Sequence, residues 1–297
     1  MDRLLRGVSE DEQVRLVTVV TTRTVAEACE RHELLGAEAV ILGRLITAAT
    51  LLATLTKNDD ERVRIEVRGN GPLGRALVDA RGDGGVRGCL VTRLPSPAMP
   101  NVVDGVTSIG DLVGRGGMLA VTRDLGLEQP YQGVVQLRTG EIDEDLERYL
   151  EKSEQLPSAL RCVVLVDADG IPVRSAGVLC QTFPGTDGTR LGPIAAQLAG
   201  ATLHEVLHHD RTPEELMGFA VKGEPYRAMR STDIAFRCDC GRQRALAVVT
   251  TLGAADIDAL ADEKGGTDVT CTYCGRAYSL SATDLRELAE RLRQQQS

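Results

Sequence analysis

Phe236-Arg237-Cys238-Asp239-Cys240-Gly241 and Thr270-Cys271-Thr272-Tyr273-Cys274-Gly275 set four cysteines in two close pairs, with thirty residues between the pairs. The first pair is C-x-C and the second C-x-x-C. A short spacing lets one chain reversal present two thiolates, and two reversals supply the four soft ligands of a tetrahedral zinc site. A glycine follows each pair, at Gly241 and Gly275. Positive φ there would turn backbone N–H groups toward the sulfurs. C-x-C is the less usual half-site, and each pair can also close on itself as a short disulfide. The same four sulfurs, Cys238, Cys240, Cys271 and Cys274, can therefore hold a metal, expected to be zinc, or be oxidised. The plainer alternative is four buried structural cysteines, or a clip that only staples a small domain.

Working outward, the chain from Phe236 to Ser297 is about sixty residues long. Its helices, around Ala254–Ala261 and Ser281–Arg293, offer few large apolar side chains: Ile257, Leu260, Leu280, Leu285, Leu288 and Leu292. A domain this small is marginal without a staple. Four thiolates on zinc contribute roughly 10–16 kcal/mol of apparent folding free energy, so loss of the metal should unfold the domain. Zinc would also keep the sulfurs as thiolates, the reactive form. Arg237, Arg242, Arg244 and Arg276 lie near the pairs in sequence and could offset the negative charge of the site, or be ordinary solvated arginines.

The whole chain has 297 residues, 42% of them apolar, enough for one sizeable domain and a smaller one. With no Trp, three Phe and five Tyr, the core must be Leu, Val, Ile and Ala. A formal net charge of −9 argues against a general affinity for nucleic-acid phosphates. No run of eighteen apolar residues is present, so no membrane span is expected. Met1-Asp2-Arg3-Leu4-Leu5-Arg6 lacks the apolar stretch of a signal peptide, which points to the cytoplasm. In that reducing compartment a standing disulfide framework is not expected, and Cys29, Cys89, Cys162 and Cys180 read as small buried hydrophobes.

Upstream, Val14–Thr21 is β-rich, and Thr24 with Glu27 suggests a capping box opening a helix. Residues 36–57 form the most helical stretch, with Ile41, Leu45, Ala48, Leu52 and Leu55 on one face. Arg62–Arg68 alternates as a half-exposed strand should. Further strands are expected over Leu73–Ala80, Val86–Thr92, Met118–Thr122, Gly133–Arg138 and Arg161–Val166. Asp169-Gly170 should turn the last of these into Ile171–Gln181. Ile142, Leu146, Tyr149 and Leu150 mark a helix between strands. Strands clustered with a few helices, without regular β-α-β alternation, indicate an α+β fold. Residues 183–188 read as a loop ending a core domain of residues 1–184. A helix over Pro193–His209 follows, then a short one capped by Thr212 with Pro213 and Glu215. Residues 185–235 hold too few apolar anchors (Leu216, Met217, Phe219, Tyr226) for a core of their own. They read as a metastable, mainly helical linker docked on the core domain. Residues 236–297 are the metal-binding unit.

Two motifs invite enzymatic readings. Gly69-Asn70-Gly71-Pro72-Leu73-Gly74 matches the dinucleotide fingerprint, but no helix opens from its last glycine, and a hairpin turn fits better. His204-Glu205-Val206-Leu207-His208 spells a zinc-protease signature, yet the extended form fails at Arg211 and Glu214 and no third ligand is evident. A solvated helix end explains it. A third reading makes the C-terminal unit a zinc ribbon that binds nucleic acid. Its eight Lys/Arg against nine Asp/Glu, and its three aromatics Phe236, Tyr273 and Tyr278, do not suit a phosphate-binding surface.

The cysteine pairs at this spacing near the end of a chain of this length are the most specific part of a wider likeness. With Gly69-Asn70-Gly71-Pro72-Leu73, Tyr131-Gln132-Gly133-Val134-Val135, Ser153-Glu154-Gln155-Leu156-Pro157 and Thr212-Pro213-Glu214-Glu215-Leu216, the sequence resembles the bacterial 33 kDa redox-regulated heat-shock chaperone family over nearly its whole length. The resemblance implies an ATP-independent holdase rather than an enzyme, inactive when reduced and zinc-bound and active once oxidised. It implies unfolded or oxidatively damaged proteins as clients, and a homodimer as the active form. Adjacency favours the disulfides Cys238–Cys240 and Cys271–Cys274, which the resemblance also implies.

Overall fold

The computed structural model describes residues 1–55, 58–95, 98–103, 106–126, 129–186, 188–199 and 202–296. They form two compact units, Met1–Arg237 and Cys238–Ser297.

The first unit opens with a hairpin of β1 (Arg3–Ser9) and β2 (Val14–Val20), followed by α1 (Thr22–His32) and α2 (Gly36–Ala53). A meander of β3 (Arg62–Arg68), β4 (Arg75–Arg81) and β5 (Gly85–Leu90) comes next. The small pair β6 (Asn101–Val103) and β7 (Val106–Ser108) and the one-turn α3 (Gly110–Val113) lead to β8 (Met118–Asp124) and β9 (Tyr131–Gln136). After α4 (Ile142–Ser153), the long hairpin β10 (Ser158–Val166) and β11 (Pro172–Thr182) returns to the first strands. Then come α5 (Leu191–Leu198), α6 (Thr202–Val206), α7 (Pro213–Ala220), β12 (Tyr226–Asp233) and β13 (Ala235–Phe236).

Two sheets result, ordered β10-β11-β2-β1-β12 and β13-β5-β4-β3-β8-β9. Helix α2 packs against strands of both, and all eighteen of its residues are buried. The sequence pattern placed one apolar face on this helix; being sheathed on both sides, it needs apolar residues all round. It is long and apolar enough to cross a bilayer by length and composition, but it is the core of this unit. Its one cation, Arg44, is 2% exposed and bonded to Glu141 at 2.6 Å, with Asp143 3.8 Å away. The end expected at Lys57 lies outside the described residues.

Apart from its edge strand β12, the first sheet is covered on both faces. On the face away from α2, Leu5, Leu16, Val163, Leu165, Val178 and Cys180 form one apolar cluster with Ile194, Leu198, Leu203, Leu207, Leu216 and Met217. The stretch 185–235 thus covers an apolar sheet face rather than making a core of its own. Helix α7 is tied by the expected capping box of Thr212 and Glu215, and the Thr18 hydroxyl donates to the Pro213 carbonyl at 2.7 Å. Leu216 and Met217 are 0% exposed, whereas Phe219 is half-buried. The helix expected over Pro193–His209 is two short ones, α5 and α6; Gly200 and Ala201 between them, and Asp187 of the preceding loop, lie outside the described residues.

The expected capping box at Thr24 is replaced. Asp2 accepts from the Arg23 and Thr24 N–H groups and from the Thr24 hydroxyl, so a carboxylate beside β1 caps α1. The Asp169-Gly170 turn joins β10 and β11 antiparallel as expected. Gly69–Gly74 is the turn between antiparallel β3 and β4, not a nucleotide loop. Its first glycine is needed for close packing, since a Cβ there would fall 1.9 Å from the Val113 carbonyl oxygen.

The second unit holds α8 (Arg242–Val249), α9 (Ala254–Lys264), the hairpin β14 (Gly266–Thr270) and β15 (Ala277–Ser281), and α10 (Ala282–Gln296). Its buried apolar cluster is seven residues: Val249, Ile257, Ala261, Leu280, Leu285, Leu288 and Ala289. Phe236 belongs to the first unit, where it pairs in parallel with β5 beneath the Arg31 guanidinium.

Candidate metal centre

Cys238 and Cys240 lie just before α8, and Cys271 to Cys274 form the tip of the β14–β15 hairpin. The tip is a backbone knuckle. Cys271 N–H donates to Arg276 O, and the Cys274 and Gly275 N–H groups return to Cys271 O at 3.3 and 2.9 Å. Gly275 has φ 70°, the left-handed conformation anticipated for it. Gly241 instead is extended, at φ −169°, because it is the residue that starts α8.

All four Sγ atoms lie within 4.8 Å of one another, and among the described residues this is the only group of three or more side chains able to share a metal. Two separations run across the pairs, 3.7 Å for Cys238–Cys271 and 3.3 Å for Cys240–Cys274. Four sulfurs about 2.3 Å from a tetrahedral zinc are about 3.8 Å apart, so the quartet fits such an ion with little adjustment. Soft thiolates in this number and shape suit zinc better than calcium or magnesium.

The sulfurs differ. Burial pushes the Cys274 thiol up to about 12, and hydrogen bonds with the other cysteines push the same way. For Cys240 burial also acts upward, but the Tyr278 hydroxyl and the other three cysteines outweigh it and bring the thiol down to about 7. Tyr278 donates to Cys240 Sγ at 3.1 Å. Sequence reasoning missed this role, because a tyrosine on a strand looks like packing. Of the four nearby arginines, Arg242 is committed to Ser279 O and Asp284, and Arg237 to Asp83. Nearby Tyr278 and the charges of Cys240 and Cys274 favour the charged form of Arg276.

The remaining cysteines are in the first unit. Cys29, Cys89, Cys162 and Cys180 are at most 1% exposed, and burial raises the thiols of Cys29 and Cys180 to about 12. They pack as small hydrophobes. His204 and His208 stand 6.2 Å apart, edge to face, with His204 Nε2 hydrogen-bonded to Thr107 Oγ1 at 2.9 Å. Helix α6 ends at Val206, so His208 lies beyond it. Among the described residues no third ligand joins them.

The chain combines a two-sheet α+β unit around one helix with a small unit that carries a four-cysteine cluster, and a chaperone of solved structure shares this fold. The crystal structure of the 33 kDa chaperonin (Heat shock protein 33 homolog) from Thermotoga maritima superimposes with a TM-score of 0.85 at 28% identity, covering 97% of this chain and 98% of that one. The family model described as "Hsp33 protein" matches residues 2–281. The "33 kDa chaperonin" of Geobacter sp. (strain M21) is 35% identical over 100% of this chain and 99% of its own. That of Trichodesmium erythraeum (strain IMS101) is 36% identical over 99% of this chain and 94% of its own. The chain belongs to the Hsp33 family of chaperones.

Proposed function

We propose that this chain is a redox-switched, ATP-independent holdase of the cytoplasm, built as a core domain of residues 1–184, a releasable linker of 185–235 and a zinc switch of 236–297. The observation that carries the reading is the pairing of a four-thiol cluster with a unit whose buried core is only seven residues. Cys238, Cys240, Cys271 and Cys274 would hold zinc, which when bound keeps the four sulfurs as thiolates and ties the unit closed. Tyr278 orients Cys240 through its hydroxyl, and Arg276 offsets the negative charge.

Peroxide oxidises one thiol to a sulfenic acid and leaves as water. The neighbouring thiol then attacks that sulfur, a second water departs, and a disulfide forms. The proposed pairs, Cys238–Cys240 and Cys271–Cys274, join sulfurs already within 4.8 Å. Disulfide sulfurs no longer offer thiolate ligands, so the small unit loses its staple and unfolds. The linker then detaches, and the face bearing Leu5, Leu16, Val163, Leu165 and Val178 becomes available to unfolded or oxidatively damaged clients. Two such chains associate in the active form.

The test is suppression of aggregation of a thermally unfolding protein by the reduced, zinc-loaded chain and by the oxidised chain. Strong suppression only after oxidation is expected. Equal suppression by both forms would remove the switch.

A further inference from the structure

Strand β12 is the outermost strand of its sheet, and its hold on β1 is almost all backbone. Six of its eight residues are exposed and the other two half-buried, with Met229 67% exposed. Two backbone bonds bracket the pairing: Ile234 N–H donates to Asp2 O at 3.0 Å, and Glu10 N–H donates to Pro225 O at 3.3 Å. Donors on an antiparallel strand alternate between its two neighbours. The N–H groups of Leu4, Arg6 and Val8, in register with Thr232, Arg230 and Arg227, therefore face β12. Those of Arg3, Leu5 and Gly7 face β2. The register slips between Arg6 and Gly7 and leaves Met229 unpaired.

Across the pairing itself the side-chain bond is Arg3 to Ser231 at 3.5 Å. Tyr226, Arg227 and Arg230 reach Glu214, Glu12 and Asp59 outside β1, so the edge asks little of its occupant's side chains. What it recognises is an extended backbone. Beside it runs the apolar face that α7 covers, where Leu5 packs with Leu16 and Met217. We infer that when β12 leaves with the rest of 185–235, an unfolded client segment takes its place as an added strand on β1. The client's main chain bonds to Leu4, Arg6 and Val8, and every second side chain lies on the apolar face vacated by α7. Sequence-independent main-chain pairing suits partners that share nothing but being unfolded. The inference rests on the holdase reading above and adds the mode of capture.

The experiment is amide-resolved hydrogen exchange on the full chain in three states: reduced with zinc, oxidised, and oxidised with a permanently unfolded probe, carboxymethylated α-lactalbumin. Co-elution of the probe is followed in parallel. Strand addition predicts an alternating response. The amides of Leu4, Arg6 and Val8 should lose protection on oxidation and regain it, by about tenfold or more, with the probe bound. Those of Arg3, Leu5 and Gly7 should stay protected by β2 throughout. If the probe co-elutes while Leu4, Arg6 and Val8 exchange as fast as in the free oxidised chain, or stay protected in all three states, strand addition is overturned and the holdase reading stands. If no probe co-elutes with the oxidised chain, the holdase reading falls and strand addition falls with it.

Discussion

Leu216→Ala tests the linker most directly. Leu216 is fully buried in the cluster where α7 meets the first sheet, in a segment with no core of its own. Truncating a buried leucine costs about 2–5 kcal/mol, depending on how far the site collapses. That shifts the docked-to-released ratio by roughly thirtyfold to several-thousandfold. The capping box at Thr212 contributes only about 1 kcal/mol and cannot compensate. The four thiols lie in the other compact unit, so zinc content should be unchanged. The reduced, zinc-loaded variant should therefore suppress client aggregation, and trypsin should cut it at Arg211 and Lys222 while the rest of the first unit resists. If trypsin opens the linker and the reduced variant still fails to hold clients, linker release is not what activates the protein. If neither proteolysis nor activity changes, Leu216 does not carry the docking. Phe219, an anchor read from the sequence together with Leu216, Met217 and Tyr226, is only half-buried, so Phe219→Asp should act more weakly.

Three further outcomes are expected. A Cβ on Gly7 would sit 2.9 Å from both the Arg227 carbonyl oxygen and Met217 Sδ, so Gly7→Val should displace β12 and α7 together and give tryptic cleavage at Lys222 and Arg227 in the reduced protein; an uncut variant would contradict this. Tyr278→Phe removes the hydroxyl bonded to Cys240 and should weaken zinc binding by about 10–100-fold in a chelator competition, and unchanged affinity would show that the bond is incidental. Burial, then the charges of Arg44 and His208, hold the His204 imidazole below its ordinary range while α6 is docked. The released form consequently binds more protons as pH falls through about 6.5, and docking weakens toward pH 5.5. Hydrogen exchange of residues 202–221 at pH 5.5, corrected for intrinsic rates, should exceed that at pH 7.5 in the parent and not in His204→Gln; the same difference in both would assign it elsewhere.

What the sequence made legible follows from how local each signal is. The cysteine quartet could be read because each pair is a single turn of chain, and two turns suffice for four ligands. Strand β3 could be read because one of its faces stays wet, so Arg62, Arg64, Glu66 and Arg68 alternate with Val63, Ile65 and Val67. Strand β12 could not. Both of its faces are largely exposed, so Tyr226–Asp233 carries no periodicity, and only its partner β1 makes it a strand. The Asp2 cap of α1 and the Tyr278 bond to Cys240 join residues twenty-two and thirty-eight apart in sequence, and no spacing rule anticipates either. The burial of Arg44 was not legible either, because its partners Glu141 and Asp143 at the start of α4 and the Thr107 carbonyl come from far along the chain.

The central claim is that the thiols, the metal and the activity move together. Titrating the zinc-loaded chain with hydrogen peroxide, while following released zinc, remaining thiols and client aggregation in the same samples, tests it. The expected result is loss of four thiols per chain in step with release of one zinc and onset of client holding, with mass mapping showing Cys238–Cys240 and Cys271–Cys274. Zinc retained after all four thiols are lost, or full holding before any thiol is oxidised, would contradict the account.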